Sequence, residues 1–285
     1  MSTIAFLGTG LLGAAFAEAA ARRGDSVLAW NRSPAKAAAL APFGVKAAAT
    51  PAEAVRGASR VHLILKDDAA VDDVLAAARA GLSPDAVILD HTTTQPTLTA
   101  ARAERYAAEG LHYLHCPVFM GPAAARSAQG SMMVAGSRRL FDSVQADLAK
   151  MTGRLEYLGE RADLAAANKL FGNTMIIGVA ALLADVLTLA QASGVDASDA
   201  LKVFKLIDLN TGVAGRGASM AQGNFTPTFE LAMARKDVRL MLETAAGRPL
   251  AALPSIAARM DQLLAAGHAA QDCSVLALDA VQRHY

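Results

Sequence analysis

Apolar and polar positions change their period part-way along this chain, and that change sets the architecture it predicts. Up to about residue 160, short apolar runs alternate with helical stretches. Ser2–Leu7, Ser26–Trp30, Val45–Ala47, Arg60–Lys66, Ala86–Leu89 and Leu111–His115 read as strands, and Ser131–Gly136 and Leu155–Gly159 add two more. Between them, AAFAEAAARRG ends as a helix at Gly24, Pro34 opens a second, and Thr50-Pro-Ala-Glu opens a third as a capping box. Asp72–Ala80 and Gln95–Glu109 are helical too. Strands and helices alternating at this spacing predict a mostly parallel sheet covered on both faces.

After Gly159 the period is helical. Leu164–Ser193, Asp196–Leu206, Phe229–Ala246, Leu250–Ala266 and Cys273–His284 are the predicted helices, with a flexible turn around Asn210–Gly217. The expected division is an α/β domain over residues 1–160 and an all-α domain over 161–285. The longest helix carries Lys169 and Asn173 one turn apart on one face. It starts where the two patterns meet, the place for an active cleft. Its apolar run, Met175–Ala184, is too short to cross a bilayer before Asp185 interrupts it.

Composition narrows the function classes. Apolar residues are 53% and charged residues 19%, which suits a well-packed soluble protein. A net charge of +1 with no long basic tract argues against nucleic acid or a membrane surface as partner. Two distant cysteines, Cys116 and Cys273, make no disulfide framework and point to a reducing compartment. The N-terminus lacks the basic stretch of a signal peptide, so the expected location is cytoplasmic.

Gly8, Gly10 and Gly13 form G-x-G-x-x-G around Leu11 and Leu12, directly after the first strand and opening a helix. There the glycines allow a tight turn and close backbone approach, and the helix N-terminus attracts a pyrophosphate. The first domain is therefore of Rossmann type. The second strand ends in Asn31-Arg32-Ser33, without the acid that would bind a free ribose 2′-hydroxyl. Arg32 suits a 2′-phosphate, so NADP is expected over NAD. Asp90-His91-Thr92-Thr93-Thr94 follows the carboxyl end of a strand, where ligands of open sheets bind. The three threonines offer hydroxyls to a substrate or cofactor, the alternative being that Thr94 caps the next helix; Asp90 reads as a structural acceptor, and His91 and His115 as satisfied, non-catalytic histidines. No histidine spacing suggests a metal. Lys169, partly desolvated, is the proton donor expected for a forming alkoxide, with Asn173 sharing that oxygen. Lys236-Asp237 reads as a surface charge pair.

Taken together these motifs resemble the β-hydroxyacid dehydrogenase family, which includes 3-hydroxyisobutyrate, tartronate semialdehyde and glyoxylate/succinic semialdehyde enzymes. The resemblance implies a small-molecule substrate reduced or oxidised at a carbonyl or hydroxyl carbon, and a homodimer or homotetramer joined through the helical halves. It assigns Lys169 and Asn173 to catalysis and substrate binding, and Thr92 to catalysis and the substrate carboxylate. It sets Thr93 by the nicotinamide and has Lys236, of Lys236-Asp237-x-x-Leu240, close over the cofactor. Leu65, Lys66 and Val71 complete the implied cofactor contacts. The family's substrate loop, usually A-P-V-S-G-G, is here Cys116-Pro117-Val118-Phe119-Met120-Gly121, and its G-x-G before the lysine is Asp163 and Ala165. Phe119, Met120 and Gly121 thus line a bulkier, more apolar substrate site. Two other readings stand beside this one: an imine or iminium reductase, a related class that usually replaces the lysine, and a non-catalytic cofactor-sensing or scaffold protein.

Overall fold

The computed structural model describes residues 3–281 and falls into two compact units, one running to Asn173 and one starting at Thr174. The first is built on a nine-stranded sheet: β1 Thr3–Leu7, β2 Ser26–Trp30, β3 Lys46–Ala47, β4 Arg60–Leu63, β5 Val87–Asp90, β6 His112–His115, β7 Val118–Phe119, β8 Ser131–Ala135 and β9 Arg154–Gly159. Their order is β3-β2-β1-β4-β5-β6-β8-β7, with β9 also paired to β8. β1 to β6 are parallel, β8 is antiparallel to β6 and β7, and β9 is parallel to β8.

Alternation along β1 sends Ile4 and Phe6 into one core and Ala5 and Leu7 into another. Burial on both faces explains why these strands read as continuous apolar runs. Register then gathers the loops. Leu7 pairs with Trp30 and Leu63, Leu63 with Asp90, and Asp90 with His115. The strands therefore end together, and residues 8, 31, 64, 91 and 116 all leave the same edge of the sheet.

Several expectations are corrected. β4 stops at Leu63 rather than Lys66, because the Leu65 N–H donates to the Thr92 hydroxyl at 3.0 Å instead of continuing the ladder. Residues 209–221 form a helix, Leu209–Ala221, where a flexible turn was expected. Asp208 caps it by accepting from the N–H groups of Asn210 and Thr211. Three elements were not anticipated: the short strand β7 and the helices Pro122–Arg126 and Arg138–Ala149. The last buries Phe141, Val144 and Leu148, a helical period the sequence does carry. The capping box at Thr50 forms, but Glu53 reaches back to the Ala49 N–H. The expected end of the last helix, residues 282–284, lies outside the described residues.

The second unit packs Leu231, Val238, Leu253, Met260 and Val275 into its own core. Asp185, 2% exposed, accepts from the N–H groups of Ala251, Ala252 and Leu253 and so caps the Leu253–Ala265 helix. The helix Leu164–Ala192 extends well beyond the run Met175–Ala184, which corrects the expectation drawn from that run: its 29 residues and, over its most apolar window, mean hydropathy of 2.0 are enough by length and composition to cross a membrane. Met175, Ile176, Ile177, Val179 and Leu182 are exposed on it. Cys116 and Cys273 are free thiols.

Candidate active site

The glycine-rich turn is held by contacts that exclude side chains. The Gly8 N–H donates to Trp30 O, and Gly8 has a φ of 101°, which favours glycine. A Cβ at Gly8 would lie 2.2 Å from Ile64 O, and one at Gly13 would lie 2.0 Å from Gly8 O. Gly10 differs, since a Cβ there meets nothing within 4 Å. The turn is thus tight at its ends and open in the middle, at the N-terminus of the helix Leu11–Arg22. Asn31 Oδ1 accepts from the Thr9 N–H at 3.0 Å, and its Nδ2 donates to Ser33 O. That side chain ties the end of β2 to the turn. Arg32 and Ser33 beside it are exposed. The Thr9 hydroxyl is buried without a hydrogen-bond partner. An open cradle of N–H groups and an exposed guanidinium fit a dinucleotide carrying a 2′-phosphate.

Leu65 is half-buried against the second core and Lys66 is exposed, paired with Asp67 at 3.2 Å. The Asp67 carboxyl is held below its ordinary range, first by the Ala70 N–H and then by Lys66, with Arg32 acting at longer range. Arg32 and Lys66 therefore bring two cations to the same end of the sheet. Leu11 is exposed and Leu12 packs on the first core. Val71, expected at the cofactor, is fully buried in the second core, so it supports the loop from beneath.

Of the three threonines after β5 only Thr93 is exposed. Thr92 is 2% exposed and its hydroxyl accepts from the Leu65 N–H, tying two loops together. Thr94 does not cap the next helix. Its hydroxyl is bonded to Thr99 and to the His115 ring. Asp90 is a structural acceptor, from the Thr92 N–H and the Tyr113 hydroxyl.

The histidines form a buried chain. His91 Nδ1 lies 2.7 Å from Cys116 O, and a carbonyl only accepts, so Nδ1 carries the proton. Neutral His91 then accepts at Nε2 from His62 Nδ1, 2.9 Å away. Burial lowers both pKa values, that of His91 to about 4. His115 donates from Nε2 to Thr92 O. These neutral rings tie β4 to the loops after β5 and β6.

Lys169 sits on the Leu164–Ala192 helix within the first unit. Its Nζ donates to Val118 O at 2.7 Å and lies 4.0 Å from the centre of the Phe119 ring. Burial lowers its pKa. Asn173 follows one turn later, half-buried. Phe119, with Leu158 and Leu164, packs against the buried cluster of Met133, Ala135 and Ala165, whereas Met120 turns to the first core and Gly121 is exposed. The missing G-x-G before the lysine thus has a counterpart: Ala165 is buried under the same cluster. Lys236, in the second unit, pairs with Asp237 at 2.8 Å. The backbone carbonyl of Val118, which anchors Lys169, had no signal in the sequence, since every residue carries one.

Residues 3–159 match the NAD-binding domain of 6-phosphogluconate dehydrogenase, and residues 164–278 match the NAD-binding region of NADP-dependent 3-hydroxyisobutyrate dehydrogenase. An uncharacterized oxidoreductase of Shewanella frigidimarina is 28% identical over 253 residues, 86% of each chain. Glyoxylate/succinic semialdehyde reductase 1 of Arabidopsis thaliana is 25% identical, covering 93% of this chain and 94% of that one. Human cytokine-like nuclear factor N-PAC is 26% identical over 84% of this chain but only 44% of its own length. Among solved structures, an imine reductase from Myxococcus stipitatus in complex with NADP+ superposes with a TM-score of 0.87, at 21% identity and 97% and 98% coverage.

Proposed function

The chain belongs to the β-hydroxyacid dehydrogenase family and is an NADP-dependent oxidoreductase, and on that premise we propose that it reduces the carbonyl of a small substrate with Lys169 as the proton donor. The observation that carries this reading is the setting of Lys169: half-buried, bonded to Val118 O, beside the Phe119 ring, with its pKa lowered. Bound NADPH supplies the hydride. Gly8, Gly10 and Gly13 would hold its pyrophosphate and Arg32 its 2′-phosphate, with Asn31, Ser33, Lys66 and Thr93 around them.

As the carbonyl oxygen gains charge, the Lys169 ammonium gives it a proton, and the product is the neutral alcohol. Burial lowers the Lys169 pKa, which makes that transfer easier. Asn173, one turn on, donates a hydrogen bond to the same oxygen. The Val118 carbonyl keeps the ammonium in place between turnovers.

One observation favours the second reading, reduction of an iminium. The Phe119 face beside Lys169 attracts cations, and an iminium is one. That reaction needs no proton during hydride delivery. The test is NADPH oxidation with purified protein against butanal, succinic semialdehyde, simple ketones and a cyclic imine. Turnover of the aldehydes supports the first reading, turnover of the imine alone supports the second, and no turnover refutes both.

We further read the exposed apolar face of the long helix as a homo-oligomer interface. A bilayer is a poor alternative, because Asp185, buried on the same helix and bonded to three N–H groups, ties it into a folded helical unit. The two domains are read as a cofactor domain over 1–160 and a substrate and oligomerisation domain over 161–285, in the cytoplasm, with Lys236 serving the cofactor.

A further inference from the structure

Glycine inside a helix is less favourable than alanine, so Gly172, eight residues into the Leu164–Ala192 helix and three past Lys169, calls for a reason. The Phe119 ring supplies one. A Cβ at Gly172 would lie 2.2 Å from Phe119 Cζ and 2.7 Å from Cε1, both far inside contact distance. The ring sits in the space a side chain would take. From there its centre is 4.0 Å from Lys169 Nζ, while the residue before it, Val118, offers the carbonyl that Lys169 donates to. Gly172, Phe119 and Lys169 are one packed group.

We propose that Gly172 is a specificity-determining residue: by lacking a side chain it seats the Phe119 ring beside Lys169, and the seated ring favours uncharged carbonyl compounds over those bearing a carboxylate. This rests on the reading of Lys169 as proton donor. The physical reason is the ring's quadrupole. Its face is negative, so it attracts the ammonium and repels a carboxylate brought beside it. A carboxylate laid against the ring also loses water without gaining a hydrogen-bond partner from it. An alkyl group meets no such cost and gains contact with the ring.

The ring is the free end of a side chain, so a methyl group at residue 172 displaces it rather than breaking the fold. Four proteins test this: the unmodified chain, Gly172→Ala, Phe119→Ala and the double variant. The probes are butanal and succinic semialdehyde, aldehydes of equal chain length that differ in the carboxylate. The unmodified enzyme is expected to favour butanal in kcat/KM by about tenfold or more, and Gly172→Ala to cut that ratio about fivefold. Phe119→Ala should do the same, and adding Gly172→Ala to it should change the ratio no further, because the ring that Gly172 seats is gone.

Thermal unfolding gives a readout independent of turnover. Gly172→Ala should lower Tm in the unmodified chain and raise it in the Phe119→Ala background, where only the helix preference remains. A ratio unmoved by Gly172→Ala in an active enzyme overturns the inference alone, as do effects that multiply or a Tm change of the same sign in both backgrounds. An unmodified enzyme that reduces neither aldehyde overturns the reading of Lys169 and this inference with it.

Discussion

Lys169→Ala removes the proposed acid, and the structure lets its catalytic and structural effects be separated in advance. The side chain makes one hydrogen bond, to Val118 O, and one ring contact, to Phe119. Lys169 is half exposed, so after solvent screening their loss should cost about 1 kcal/mol of stability. Losing a general acid lowers the rate by about 10²–10⁴-fold, or roughly 3–5 kcal/mol at the transition state. The kinetic effect should therefore far exceed the structural one. NADPH affinity should stay within a few-fold, because the glycine turn and Arg32 hold it.

The assay is single-turnover reduction of an aldehyde and of a preformed iminium, with and without Lys169. The aldehyde rate should collapse and the iminium rate should persist. Asn173→Ala should cost less, and the double variant less than the product of the two, since both groups serve one oxygen. A Lys169→Ala enzyme that keeps full aldehyde reduction refutes the assignment. The pH profile gives a second check. The acid must be protonated, so the aldehyde rate falls as pH rises through the lowered Lys169 pKa, and that limb should vanish in the variant.

Three more outcomes follow from the same geometry. Arg32→Ala should erase most of an at least tenfold preference for NADPH over NADH, about 1.5–3 kcal/mol for a charge-assisted contact, read by titration of both cofactors; equal affinities in the unmodified protein would sink the 2′-phosphate role. His91, with a folded pKa of about 4 against an ordinary 6.5, binds fewer protons folded than unfolded between those values. Stability should therefore fall as pH drops from about 6.5 to 4, and His91→Asn should flatten that slope in a Tm-against-pH series. Ile177→Glu, at a position 67% exposed on the long helix, should shift the protein toward smaller species in sedimentation velocity; an unmodified protein already monomeric at high concentration would remove the interface.

The candidate site residues legible in the sequence share one property: their chemistry is carried by short-range spacing. Gly8, Gly10 and Gly13 are legible because a strand, a turn and a helix N-terminus lie within a few residues of one another. Asp90 followed a strand end, and its acceptor role held. Thr92 illustrates the opposite case. Its hydroxyl accepts from the Leu65 N–H, 27 positions away, a contact that no short-range spacing announces. Val71 is likewise enclosed by packing that its local sequence does not announce. The helix Arg138–Ala149 carries a helical period in its buried Phe141, Val144 and Leu148, whereas Leu209–Ala221 buries no residue and so has no apolar stripe.

By itself the sequence determined the α/β-then-helical order, the dinucleotide turn with its Arg32, and the pairing of Lys169 with Asn173 one turn on. Each follows from backbone geometry repeated over a few residues, where i and i+4 meet or a glycine permits a positive φ. Only the tertiary structure decided what surrounds Lys169. Val118 O lies 51 positions away, and the Phe119 ring fills the space beside Gly172. No local rule brings β7 onto that helix. It is placed by the packing of Phe119 against Met133, Ala135 and Ala165, a balance of shape and burial among residues distant in the chain.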